Sequence, residues 1–127
     1  MTYTRFKELK SFQAAFQDCQ SRNQVLFEPR SVYAYHLVIN GFKTRMKDLE
    51  MNNAAKIGWT GVTKNNNNWI YKSNNQNIRM AAWKTQPGSG GVVQKNCALI
   101  DSDGTWVDSL CFSKRPYICQ TKGVLKL

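Results

Sequence analysis

Between Ser11 and Ser21 the apolar positions Phe12, Ala15, Phe16 and Cys19 recur at the three- and four-residue spacing that stacks side chains on one helix face. Ser11 is an N-cap residue type placed just ahead of them, so the pattern predicts a helix from Ser11 through about Ser21, ended by the Asn23-Gln24 break. Before it, Tyr3, Arg5 and Lys7 alternate with Thr4 and Phe6 as in a short strand. A second helix is expected after Pro29-Arg30-Ser31, with Val32, Tyr35, Leu37, Val38 and Ile39 as its apolar side and Asn40-Gly41 as its stop.

From Lys56 the period shortens to that of strands. Ile57 to Val62 and Trp69 to Lys72 read as a strand pair joined by a turn at Asn65 to Asn68, and residues 73 to 93, rich in Asn, Gly, Ser and Gln, read as a long loop with scattered apolar anchors. Further on, Ala98-Leu99-Ile100 and Tyr117-Ile118 are short apolar runs with the tight-turn pair Asp103-Gly104 between them, which predicts a β-hairpin beside the cysteines. The elements together predict an α+β domain.

A length of 127 residues and an apolar content of 42% fit one domain, 1–127, with a core of its own. Its four cysteines form an even set, and the residues alone leave three pairings open. Cys19 stands far from the other three and no Cys-x-x-Cys occurs, so a zinc site is not expected. No stretch of 18 apolar residues is present, so no membrane span is expected, and the polar start from Thr2 to Lys10 is unlike a secretory signal. There is no Asn-x-Ser/Thr acceptor for N-glycosylation.

The end of the chain is the most specific part. Cys97, Gly104-Thr-Trp106-Val-Asp108, Cys111 and Cys119, with 13 residues between the first two cysteines and 7 between the last two, resemble the C-type lectin-like domain in its short form. Trp59-Thr60-Gly61-Val62 is similar to the core Trp-Ile-Gly-Leu signature of that family, and Ser11 to Cys19 resembles its first helix, so the likeness runs over about residues 2–120. It implies two helices flanking small antiparallel sheets, a long loop region, and disulfides Cys19-Cys119 and Cys97-Cys111. It also implies an oxidising, secreted or extracellular location and a domain that recognises ligands, with dimers common among relatives.

Family members that hold sugar through calcium usually carry Glu-Pro-Asn or Gln-Pro-Asp in the long loop and Trp-Asn-Asp near the end, because calcium takes six to eight oxygen ligands. The matching stretches here are Gln86-Pro87-Gly88 and Trp106-Val107-Asp108, so Gly88 and Val107 offer no side-chain ligand. Gln94-Lys95-Asn96 stands where a carboxylate usually precedes Cys97, and no Asp or Glu occurs from Met51 to Ile100. No metal or other cofactor is therefore expected, and Gln86 and Asp108, with Asn96, Asp101 and Asp103 beside them, are the residual set for a modified calcium site. The loop proline of the family is typically cis, which makes Pro87 a shaper of backbone as well as part of a ligand motif.

Eighteen Lys and Arg against eight acids give a formal charge of +10, a surface that attracts anions. Sulfated polysaccharide and other extracellular polyanions fit it, and no nucleic-acid-binding module is visible. Lys72, Arg79, Lys84 and Lys95 are the expected ionic contacts, with Asn74, Asn75, Gln86 and Asn96 as hydrogen-bonding partners, Asp108 as a further loop-face residue, and Trp69 or Tyr71 as stacking surfaces. Two alternatives stay open: a calcium-dependent lectin using an altered Gln86-Pro87-Gly88 and Asp108 site, and a protein-binding module, such as a receptor ectodomain, with no glycan ligand. An enzyme is not expected, since the single histidine, His36, lies in a helix and no nucleophile motif accompanies it.

Overall fold

The computed structural model describes residues 1–46, 56–88 and 94–122. Strand β1 (Tyr3–Lys10) leads into helix α1 (Phe12–Ser21), where Ser11 caps the first turn by accepting a hydrogen bond from the Ala14 amide at 3.2 Å. The helix buries Phe12, Ala15 and Cys19, and the chain turns out of it through Asn23 at φ 58°, a left-handed conformation that asparagine tolerates. Strand β2 (Gln24–Leu26) follows, then helix α2 (Val32–Arg45), capped by Ser31.

Helix α2 corrects the expected stop at Asn40-Gly41, because it runs on to Arg45. Its buried residues are Tyr35, Ile39 and Phe42, with Met46 buried just beyond, a spacing of four, three and four that continues through the glycine. Burying Phe42 and Met46 outweighs the cost of about 1 kcal/mol for one glycine inside a helix. Val32 and Leu37, read as part of the apolar side, are exposed instead.

Strands β3 (Gly58–Asn65) and β4 (Asn68–Tyr71) form a hairpin with Asn65 opposite Asn68. Its two turn residues, Asn66 and Asn67, have φ of 51° and 68°, the pair of left-handed residues that matches the twist of a hairpin. Strands β5 (Cys97–Ile100) and β6 (Trp106–Ser109) form a second hairpin, closed at Gly104 with φ 89°. The Asp103-Gly104 turn therefore joins β5 to β6, not to Tyr117-Ile118, which lie in β7 (Arg115–Thr121).

The strands make one seven-stranded sheet in the order β1-β7-β3-β5-β6, with β2 also on β7 and β4 also on β3. A parallel contact at Trp59 and Tyr117 joins its two antiparallel parts. One core cluster holds Tyr35, Ile39, Phe42, Ile100 and Trp106; another holds Phe12, Ala15, Leu99, Tyr117 and Trp59. Trp59 is 0% exposed, and its indole N–H donates to the Lys10 carbonyl at 2.9 Å, so its one polar atom is satisfied. The disulfides are Cys19–Cys119 and Cys97–Cys111, the pairing implied by the lectin-like resemblance. Cys19–Cys119 closes a separation of 100 residues, worth about 4.7 kcal/mol in the chain-entropy model.

Gly58, where β3 meets β7, has φ 143°, and a Cβ there would lie 2.7 Å from the Pro116 carbonyl carbon and oxygen. Strain of this kind costs roughly 1–3 kcal/mol before the backbone clash is added. Gly58→Ala is expected to lower unfolding stability by about 3 kcal/mol, measured by urea denaturation; an unchanged midpoint would mean that β3 and β7 can separate freely at this point.

A lysine-clamped loop and a basic groove

The long loop is fastened to the sheet through Trp106. The Trp106 amide donates to the Ala82 carbonyl at 2.7 Å and the Trp106 carbonyl accepts from the Lys84 amide at 2.9 Å. Trp83 packs edge-on against Trp106 with ring centroids 5.3 Å apart and lies 4.7 Å from Trp69 on its other side. Trp69 is half-buried in this contact, and Tyr71 is fully buried with its hydroxyl donating to the Pro29 carbonyl at 2.5 Å, so Tyr71 is not a stacking surface.

Lys84 lies where the loop meets the β5–β6 turn. Its ammonium is 2.7 Å from Asp101 Oδ2 and 3.2 Å from Asp103 Oδ2, and Lys56 Nζ lies 3.0 Å from Asp101 Oδ1. Asp101 is only 7% exposed and also accepts from the Ser102 amide at 2.7 Å. Burial disfavours its charge, but the two ammonium groups and the amide outweigh burial and hold its carboxyl down at about 2. Asp103 is held below the usual carboxylate range first by the Thr105 hydroxyl and then by Lys84, and Lys84 is raised chiefly by its bond to Asp101.

Asp108 Oδ2 accepts from the Gly88 amide at 3.0 Å, where Gly88 has φ 85° and ends the described part of the loop. Gln86 is exposed, and the bond before Pro87 is trans, like every peptide bond among the described residues, in contrast to the cis form typical of the family. Asn74 is committed to its own turn, its side chain exchanging hydrogen bonds with Gln76, while Asn75 takes the left-handed position at φ 60°. Arg79 and Lys95 are exposed, and His36 is exposed on α2.

Lys72 and Asn96 come together elsewhere. They line a groove of about 410 Å³ that also takes in Lys64, the first residues of α1 and the Cys97–Cys111 disulfide, with Phe112 at 74% exposure on its rim. Among the described residues Lys64, Lys72, Arg79 and Lys95 form no ion pair. Sequence reasoning passed over Lys64 and Lys56 as site residues, since their placement depends on strand register, and Phe112, whose exposure no local pattern signals; only its position directly after Cys111 draws attention to it.

Two helices against a sheet stapled by two disulfides, with an anchored irregular loop on one side, define a binding domain of lectin-like build. The Lectin C-type domain family matches residues 8–121, and the chain belongs to that family. It is 29% identical over 123 residues to the C-type lectin domain family 3 member A homolog of Xenopus laevis, and 30% identical over 131 residues to tetranectin of Bos taurus. Each alignment covers 93% of this chain and 58% of the relative, so the chain spans a little over half the length of these relatives. The crystal structure of human lithostathine superposes with a TM-score of 0.74 at 17% identity, over 95% of this chain and 83% of that one, a likeness of fold.

A depressed carboxyl stabilises the fold above its unfolded value, near 3.9, and that contribution fades as pH falls toward the folded value, here about 2. The wild type is therefore expected to lose stability between about pH 4 and pH 2. Asp101→Asn should be less stable at pH 7 and show a shallower acid limb in thermal unfolding; equal slopes for the two proteins would remove Asp101 from the acid response.

Proposed function

We propose that this chain is an extracellular recognition domain that binds anionic glycans, sulfated polysaccharide above all, without the usual calcium site of its family. One observation carries this reading. Asp101 and Asp103 beside the loop are already matched by lysines, while Lys64, Lys72, Arg79 and Lys95 have no carboxylate partner among the described residues. A hard cation needs six to eight free oxygens. Both oxygens of Asp101 are held by ammonium groups, Asp103 is shared between Lys84 and Thr105, and Asp108 caps the Gly88 amide. Among the described residues no three His, Cys, Asp or Glu side chains are grouped as a metal would require. This donor set fits calcium poorly, and ligand binding in this reading runs through ammonium groups and amides alone. The two disulfides support an oxidising compartment, and no described helix is long and apolar enough to cross a membrane.

A second reading, a module that binds a protein, is favoured by Val32, Tyr33 and Leu37, exposed together on α2 with Tyr33 at 77%. The glycan reading ranks above it because the unmatched charge is spread over more of the surface than this short apolar stripe.

Two measurements check the proposal. In calorimetry, calcium against EDTA should leave the unfolding midpoint unchanged, whereas a site filled at a hundred times its Kd would add about 2.7 kcal/mol. On a heparin column in EDTA the chain should elute at higher salt than from a sulfonate exchanger of equal charge density. A midpoint rise with calcium would restore the calcium-lectin alternative, and identical elution from both columns would reduce the interaction to bulk charge.

A further inference from the structure

Of the surfaces on the domain, the groove beside Cys97–Cys111 brings together lysines, neutral amides and an exposed aromatic ring next to a disulfide. Its lining residues include two lysines, Lys64 and Lys72, and no Asp or Glu. Neither lysine has an ionic partner among the described residues, so two uncompensated charges belong to residues of one groove. Gln13 and Asn96 add neutral amide groups to the lining. The exposed ring of Phe112 stands at the edge, held out on the turn closed by the Ser113 amide donating to the Leu110 carbonyl at 3.1 Å.

The walls are preformed. The Cys97–Cys111 bridge ties β5 to the segment after β6, and the Phe12 amide donates to the Cys111 carbonyl at 2.9 Å, which fixes the start of α1 against that segment. Lys72 and Lys64 are set by backbone bonds, the Lys72 amide to the Gly61 carbonyl and the Lys64 amide to the Asn96 carbonyl, each at 2.8 Å. A ligand entering here meets fixed backbone, and the side chains of Lys64, Lys72, Gln13, Asn96 and Phe112 are what has to settle. None of Lys84, Gln86, Asp101, Asp103 or Asp108 lines this space, so the groove is separate from the loop cluster.

We propose that this groove is the site for an acidic saccharide, with a sulfate or carboxylate held between Lys64 and Lys72, hydroxyls meeting Gln13 and Asn96, and the apolar face of a sugar ring lying on Phe112. The chemistry divides as a glycan's does. A compact anion suits two point-charge ammonium groups, neutral amides exchange hydrogen bonds with hydroxyls, and the C–H face of a pyranose covers an aromatic ring that water otherwise wets. The proposal rests on the anionic-glycan reading and gives it a place in the fold.

The test uses the whole chain and a heparin tetrasaccharide, with uncharged chitotetraose as a neutral probe, in titration calorimetry at 0.15 M salt. Lys64→Ser with Lys72→Ser is compared with Lys7→Ser with Lys43→Ser, which removes the same charge outside the groove, and Phe112→Ala is measured beside them. Thermal unfolding of each variant checks that it is folded. The groove variant should bind the heparin probe roughly tenfold more weakly, the charge-matched variant within about twofold of wild type, and Phe112→Ala should lose several-fold. In a parallel NMR titration, amide shifts should concentrate at Ser11 to Gln13, Asn96 and Phe112. Equal losses for the two double variants, or shifts gathered at Lys84 to Gly88, would overturn the groove and leave the glycan reading standing. Chitotetraose binding as tightly as heparin would overturn the anionic character of the site. Absence of heparin binding by the wild type would overturn both proposals.

Discussion

Strand β7 is the element on which the rest of the fold closes. It takes β1 and β2 as antiparallel partners, touches β3 in parallel at Tyr117, and carries Cys119, whose bridge to Cys19 fastens α1. Backbone on both sides of it must come very close, and Gly58 is the residue that permits this, because any side chain would enter the Pro116 carbonyl. Once β3 is seated there, Trp59 fills the space beneath α1 and β5 is placed in register along β3. The groove next to Cys97 and the turn at Asp103-Gly104 both inherit their positions from that register.

From the same frame a run of aromatic rings reaches out to the irregular loop. Phe27 stacks on Tyr35, Tyr35 meets Trp106 edge-on, Trp106 meets Trp83, and Trp83 meets Trp69, each pair of centroids within 6.2 Å. A loop without regular structure has few ways to satisfy its backbone in a buried place. Here Trp106 offers both its amide and its carbonyl to the loop, while Met80 and Trp83 supply apolar area that holds the loop down. The order of the segment between Tyr71 and Lys84 thus comes from the protein itself.

Much of this was readable from residue order, for reasons that differ by element. Ser11 with Phe12, Ala15 and Cys19 announces α1 because capping and periodicity agree, and the Asn65 to Asn68 turn announces the β3–β4 hairpin because asparagine accepts the left-handed conformations it needs. Asn40-Gly41 misleads, because a local stop signal loses to burial of Phe42 and Met46, a tertiary fact. On the loop side the legible part is composition: the acid-free stretch from Met51 to Ile100 and the excess of lysine. Lys72 and Asn96 were named and lie together, but their neighbour Lys64 was not, because strand register brings it there. Lys84 is among the ionic contacts expected for a ligand, whereas the turn brings Asp101 and Asp103 within reach of it.

That last difference bears on where a ligand can bind. Lys56 and Lys84 set two positive charges against the two negative charges of Asp101 and Asp103, so the cluster is close to neutral and its groups are mutually satisfied. A lysine ammonium has at most three donors, and Lys84 spends two of them and Lys56 one on these carboxylates. A divalent cation in such a place could bind carboxylates and sugar hydroxyls at once, which a tethered ammonium cannot do. Under the proposed reading, the cluster therefore serves to hold the turn and the loop together, and ligand contact moves to where positive charge is unmatched. Lys64 and Lys72 meet that condition in a concave, preformed place.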